Sequence, residues 1–240
     1  MLVYNFGAIS STWRGWDELT EAGLADDYTF VCFMEGGAGA AETGQGGGLT
    51  GANLVLSDNG TIAAASGTPP RKHLDGVNEY FTMTEAAVEA LLTGGGKWTI
   101  VLKCGGFENE AAHQGLLQFH SGVSGDQIFI QVLSDETVSF EVYDGGVGVA
   151  SYTTPAFTPT TGVIYIIAEY DGTTIRLGTV EGTKPNSWAD ITNQDVTVTA
   201  CNFGDFTTNR AIGYNGASYK HGDFYYLVIS KRALLSDLAA

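Results

Sequence analysis

Apolar residues at alternate positions, in runs cut short by Asp-Gly and Asn-Gly pairs, constrain this chain more than any other feature of its sequence. Trp98, Ile100, Leu102 and Cys104 share one parity. Val138, Phe140 and Val142 alternate with Thr137, Ser139, Glu141 and Tyr143. The pattern returns at Ile164, Ile166 and Ala168, at Ile175 and Leu177, and at Phe224, Tyr226 and Val228. A period of two sends neighbouring side chains to opposite faces of an extended strand, whereas a helix needs a period near 3.6. Asn59-Gly60, Asp75-Gly76 and Asp171-Gly172 supply the chemistry of tight turns. These features predict an all-β chain of two stacked antiparallel sheets. Runs that are apolar on both faces belong in the middle of a sheet, with the outer face partly covered.

All-β sandwiches of 240 residues form single units, so one large core suffices and no disulfide or metal is needed for folding. The sandwich is assigned to residues 28–240 and an N-terminal arm to residues 1–27. Trp13, Arg14 and Trp16 make the arm a candidate interface element, because Trp and Arg are enriched where partners dock. The alternative is that the arm packs back on its own sandwich. Residues 28–34 read as the first strand and 35–51 as a glycine-rich, mobile loop. That loop lacks the Lys-Ser/Thr ending of a phosphate loop. Residues 53–57 and 60–64 read as a hairpin across Asn59-Gly60, and residues 72–83 as a strand pair about Asp75-Gly76. Thr82-Met83-Thr84-Glu85 matches a capping box ahead of an apolar stretch that Gly94 to Gly96 ends, which predicts one two-turn helix.

Only 11 basic residues stand against 27 acidic ones, for a net charge of −16. Nucleic acid and anionic membrane surfaces are poor partners for such a chain. No apolar stretch is long enough to span a bilayer as a helix, and the first six residues lack the basic start of a signal peptide. Cys32, Cys104 and Cys201 are odd in number and lack zinc-type spacing, so buried free thiols are expected.

Four segments, in order, resemble the concanavalin A-like lectin and glucanase superfamily in its laminin-G-like branch. They are His73-Leu74-Asp75-Gly76-Val77-Asn78-Glu79-Tyr80-Phe81, the strand from Lys97 to Lys103, the strand and turn from Ile167 to Leu177, and the tail from His221 to Asp237. The resemblance covers roughly residues 28–240. It implies the two-sheet jelly roll, on a fold that carries lectins, hydrolases, adhesion modules and virion proteins alike. It also implies a candidate calcium site of loop oxygens at Asp75, Asn78, Glu79 and Asp223. The alternative is that Asp75 only shapes its turn and Glu79 faces solvent. Calcium is not required for folding, and no other cofactor is expected.

The superfamily's glucanases carry Glu-x-Asp-x-x-Glu on one strand, which sets two carboxylates at close range. Here Glu169-Tyr170-Asp171 is followed by Gly172-Thr173-Thr174, so the second glutamate is missing. No metalloprotease or serine-hydrolase motif is present either. The chain is therefore expected not to be an enzyme. Lectin-type sites combine an aromatic platform with Asp, Asn and glycine amides. Tyr214, Asn215 and Tyr219 offer that set on one loop, and Trp188 with Asp190 offers a second; the alternative is an ordinary turn flanked by core tyrosines. By elimination the first expectation is a bacteriophage virion component, a capsid-decoration or tail-associated adhesion module. It would dock on a capsid or tail protein, as a homo-oligomer or bound to a lattice. The alternative is a lectin-like carbohydrate-binding module that recognises glycans.

Overall fold

The structure, a computed structural model, describes residues 28–65, 70–107, 113–122, 125–157, 162–182, 189 and 191–234. In chain order its elements are β1 (Thr29–Phe33), β2 (Glu42–Thr43), β3 (Gln45–Gly46), β4 (Val55–Asn59), β5 (Ala63–Ala65), β6 (Arg71–Asp75), β7 (Tyr80–Thr82) and helix α1 (Glu85–Leu92). There follow β8 (Trp98–Gly105), β9 (Gln114–His120), β10 (Gln127–Val132), β11 (Val138–Asp144) and β12 (Val147–Thr153). The last are β13 (Val163–Tyr170), β14 (Thr174–Glu181), β15 (Thr192–Thr197), β16 (Asn209–Ile212) and β17 (His221–Ser230).

Two antiparallel sheets form the sandwich, as the alternation predicts. One runs β15-β14-β13-β8-β17-β1-β3. Along its edge, β6 pairs with the first half of β17, on the side that β1 occupies along the second half, and β5 pairs with β6. The other sheet runs β12-β11-β10-β9-β16-β7-β4-β2. Between them lies one core that includes Trp98, Ile100, Leu102, Cys104, Phe119, Ile128, Phe140, Ile166 and Leu177. The central strands β8, β13, β1 and β17 carry a second apolar cluster on their outer face, including Val31, Val101, Ile167 and Val228. This is the two-sided burial expected of mid-sheet strands.

Several local expectations fail for tertiary reasons. Residues 53–57 and 60–64 do not form a hairpin: β4 joins the eight-stranded sheet while β5 joins the nine-stranded one. Gly60, at φ 97°, bends the chain, and Ile62 is then buried as the chain crosses. The segment 72–83 likewise spans the sandwich. Leu74 on β6 and Phe81 on β7 enter the core from opposite sheets. Asp-Gly and Asn-Gly specify a bend, but burial of the flanking apolar groups chooses the partner strand. The stretch 35–51 is not a plain loop either. It contains β2 and β3, and it is tied down by the buried pair Glu42 and Lys72. Along β17, alternation breaks at a bulge between Phe224 and Tyr226. Phe224, Leu227 and Ile229 therefore face the core, while Tyr226 and Val228 face outward.

Helix α1 forms where expected, but Thr84 rather than Thr82 is its N-cap. The Ala87 amide donates to Thr84 Oγ1 at 3.2 Å. Thr82 is already in β7, so the capping-box reading does not hold. Ala87, Val88, Leu91 and Leu92 lie on one helical face and are buried. Burial of each leucine contributes roughly 1.5–3 kcal/mol. All three cysteines are free and buried, as expected.

Candidate functional site

The outer face of the eight-stranded sheet differs from that of its partner: it is polar, rich in amides and aromatic rings. Cross-strand register sets its rows. Ser57, Thr82, Ala211, Gln118, Phe129, Glu141 and Ser151 stand opposite one another across successive strands. Asn59 and Tyr80 are paired one step along, on the same face. Phe81, between Tyr80 and Thr82, points into the core, so strand parity turns Tyr80 outward.

The connection from β16 to β17 folds against this face. Gly213, at φ 84°, starts it, and a Cβ there would collide with Leu74. Tyr214 and Tyr219 form an isolated bridge, and their rings stack with centroids 4.5 Å apart and planes at 22°. Tyr80 packs beside them, 5.1 Å from Tyr214 and 6.0 Å from Tyr219. All three rings are half-buried, so each keeps some surface in solvent. Burial, with the neighbouring phenols, pushes the Tyr214 hydroxyl above its ordinary pKa, so it remains a neutral donor and acceptor.

Amide side chains rim this aromatic cluster. Asn215 shapes the loop by accepting from the amides of Ala217 (3.1 Å) and Ser218 (2.6 Å) at Oδ1. Its Nδ2 donates to Gln131 Oε1 at 3.0 Å. Asn209 Nδ2 donates to Gln118 Oε1 at 2.6 Å, and a Cβ at Gly216 would meet that same oxygen. Each glutamine thus spends its oxygen on a neighbouring amide and keeps its NH2 group as a donor. Tyr214, Asn215 and Tyr219, singled out in the sequence, do come together. Tyr80, Gln118, Gln131 and Asn209 were not legible as site residues. Only the outward parity of Tyr80 next to Phe81 hinted at a role, and nothing local announced which strands would be its neighbours.

The other candidates fare differently. Trp188 and Asp190 lie outside the described residues, as do Trp13, Arg14 and Trp16. Asp75, Asn78 and Glu79 share one turn, and one carboxylate oxygen each of Asp75 and Glu79 is used within it. Asp75 Oδ1 accepts from the amides of Val77 (2.8 Å) and Asn78 (3.3 Å), and Glu79 Oε2 accepts from the Asp75 amide at 2.7 Å. Glu79 is buried rather than solvent-facing, and that burial raises its pKa. Asp223 lies on β17 and pairs with Arg71 at 2.7 Å and His73 at 3.1 Å. Among the described residues no three His, Cys, Asp or Glu side chains are arranged to hold a metal.

Glu169 and Asp171, the nearest approach to a glucanase pair, are also occupied. Glu169 is fully buried and accepts from Thr99 Oγ1 at 2.8 Å. Asp171 accepts from the amides of Thr173 and Thr174 and pairs with Arg176 at 2.7 Å. Burial raises its pKa, but these donors outweigh it and hold the carboxyl down to about 2. Asp171 is thus not poised to exchange a proton near neutrality. Burial pushes the thiols of Cys104 and Cys201 up to about 12, so neither is a ready nucleophile.

No protein-family profile matches the sequence, and no curated protein sequence matches it. Solved structures do resemble the fold. The CBM40 domain of the Ruminococcus gnavus IT-sialidase, bound to α2,3-sialyllactose, aligns over 70% of this chain and 92% of its own, with 15% identity and a TM-score of 0.53. Domain 4 of AbnA, a GH43 extracellular arabinanase from Geobacillus stearothermophilus in complex with arabinotriose, aligns over 75% and 82%, with 14% identity and a TM-score of 0.50. A botulinum neurotoxin type C structure, described by its interaction with two ganglioside molecules, aligns over 86% of this chain and 48% of that one, at 9% identity and a TM-score of 0.57. At these identities the likeness establishes the two-sheet jelly-roll sandwich and nothing narrower.

Proposed function

We propose that this chain is a carbohydrate-binding module that holds glycans, without turning them over, on the outer face of its eight-stranded sheet. The observation that carries the reading is the cluster of Tyr80, Tyr214 and Tyr219 rimmed by Gln118, Gln131, Asn209 and Asn215. A pyranose or furanose ring offers C–H groups on a face and hydroxyls on its edge. Aromatic rings suit the first, and amides, which both donate and accept, suit the second. Support also comes from the neighbours of the same fold, which include domains solved with sialyllactose and with arabinotriose. The expectation of a phage virion component draws no comparable support, since it rests on elimination and on residues of the arm.

The test is binding of the full chain to an immobilised panel of oligosaccharides, repeated with Tyr80→Ala and Tyr214→Ala. Each truncation removes an aromatic contact worth about 0.5–1.5 kcal/mol beyond its area, so affinity should fall roughly three- to tenfold or more. Absence of binding to any glycan by folded protein would remove the reading.

A further inference from the structure

We infer that the aromatic-amide face is selective for neutral oligosaccharides and discriminates against sialylated or otherwise carboxylated ones. This deepens the proposed function and rests on it.

The strands of the eight-stranded sheet contain a single Lys or Arg, Arg210. Its cross-strand partner is Phe119, whose ring is in the core, so Arg210 leaves the sheet on the core side. There its guanidinium donates to the carbonyls of Met83 (3.2 Å) and Phe206 (2.7 Å) and lies 3.8 Å from Glu85. The other cation close in sequence to the tyrosines is Lys220, at the end of the loop that carries them. It is fully buried, with Nζ donating to Gly105 O at 3.2 Å and lying 3.9 Å from the centre of the Phe107 ring. Both of these cations are thus turned inward and committed.

The outer face offers amides and phenols, and its nearest ionisable member in the central row is the acid Glu141. His120, next to the core-facing Phe119 on β9, turns to the same face and accepts from the Gly122 amide at Nδ1 (2.9 Å). The described strands of this sheet turn no Lys or Arg outward. A carboxylate bound there would give up water with no ammonium or guanidinium of the sheet to replace it, in the field of a chain whose net charge is −16. Specific carboxylate recognition ordinarily uses a guanidinium fork or an ammonium group. Neutral hydroxyls need none, and they can accept from the amide NH2 groups of Gln118 and Gln131, whose oxygens are already engaged. Two of the fold neighbours named above are described with anionic sialyl or ganglioside ligands, so the prediction separates this chain from them.

The experiment uses the full chain on matched pairs of glycans, each neutral oligosaccharide beside its sialylated counterpart (lactose and 3′-sialyllactose among them), with arabinotriose as a further neutral probe. Titrations are run at low and high NaCl, with Tyr214→Ala and Gln131→Ala as site variants checked for native thermal unfolding. The expected result is binding of neutral members that both variants weaken, sialylated members at least about tenfold weaker, and affinity for the neutral ones insensitive to salt. Sialylated members bound as tightly as their neutral partners, with the same dependence on Tyr214, would overturn the selectivity and leave the platform standing. Binding untouched by both folded variants, or no binding at all, would overturn the platform and the selectivity with it.

Discussion

Lys72 Nζ lies 3.1 Å from Glu42 Oε1, and both side chains are almost wholly withdrawn from solvent. Lys72 also donates to the carbonyls of Gly37 (2.7 Å) and Ala40 (2.9 Å), while Glu42 accepts from the amides of Glu35 and Gly36. The pair sits at the rim of the sandwich and shapes the glycine-rich segment into β2 and β3. Removing one partner strands the other charge, which costs about 3–5 kcal/mol, whereas an apolar pair of similar size avoids that cost. Lys72→Met should therefore lower the unfolding free energy by about 3 kcal/mol or more in urea titrations at pH 7. Lys72→Met combined with Glu42→Leu should recover much of the loss. Equal destabilisation by the single and double variants would mean the two charges are not coupled.

The helix cap separates two threonines that look alike in sequence. Thr84 Oγ1 accepts from the Ala87 amide and donates to Asn53 Oδ1 at 2.6 Å, tying α1 to the turn before β4. Thr84→Ala should cost about 1 kcal/mol or slightly more. Thr82, half-buried on the outer face of β7, meets Asn59 Nδ2 at 3.3 Å and caps nothing. Thr82→Ala should cost clearly less, and equilibrium denaturation of the two variants would rank them.

Asp171 links stability to pH. Its folded pKa of about 2 lies below the ordinary value of 3.8, so folding favours the ionised form. That contribution is complete above the ordinary value and drains away as pH falls through about 2. Asp171→Asn should therefore lower stability by about 1–2 kcal/mol at pH 7, and the gap to the parent should narrow steadily below pH 4 and close near pH 2. A gap that stays constant across this range would assign the effect to lost hydrogen bonds rather than to charge.

The thiols offer a direct reading of the core. With Cys104 and Cys201 raised to about 12, and Cys32 also raised by burial and by Glu42 and Glu35, almost no thiolate exists at pH 8. A disulfide reagent should label far less than one thiol per native chain within minutes, and all three after unfolding in guanidinium. Rapid labelling of any thiol in the native protein would show that its strand opens readily.

Much of this architecture is written in local pattern. The parity of Trp98, Ile100, Leu102 and Cys104 specifies both the strand and its buried face, because only a period of two keeps those four groups out of water together. The same logic marks β8 and β13 as central, since both their faces are apolar. The net charge of −16 and the missing second glutamate after Asp171 likewise narrow the chemistry without any coordinates. What the chain order cannot encode locally is partnership. Asp75-Gly76 looks like a hairpin, yet Leu74 and Phe81 belong to opposite sheets, and one extra residue at Tyr225 reverses the faces of β17. The site shows the same division. Tyr214, Asn215 and Tyr219 are neighbours in sequence and could be seen together. Tyr80, Gln118 and Gln131 join them only because sheet register, set by burial of the residues beside them, brings distant strands side by side.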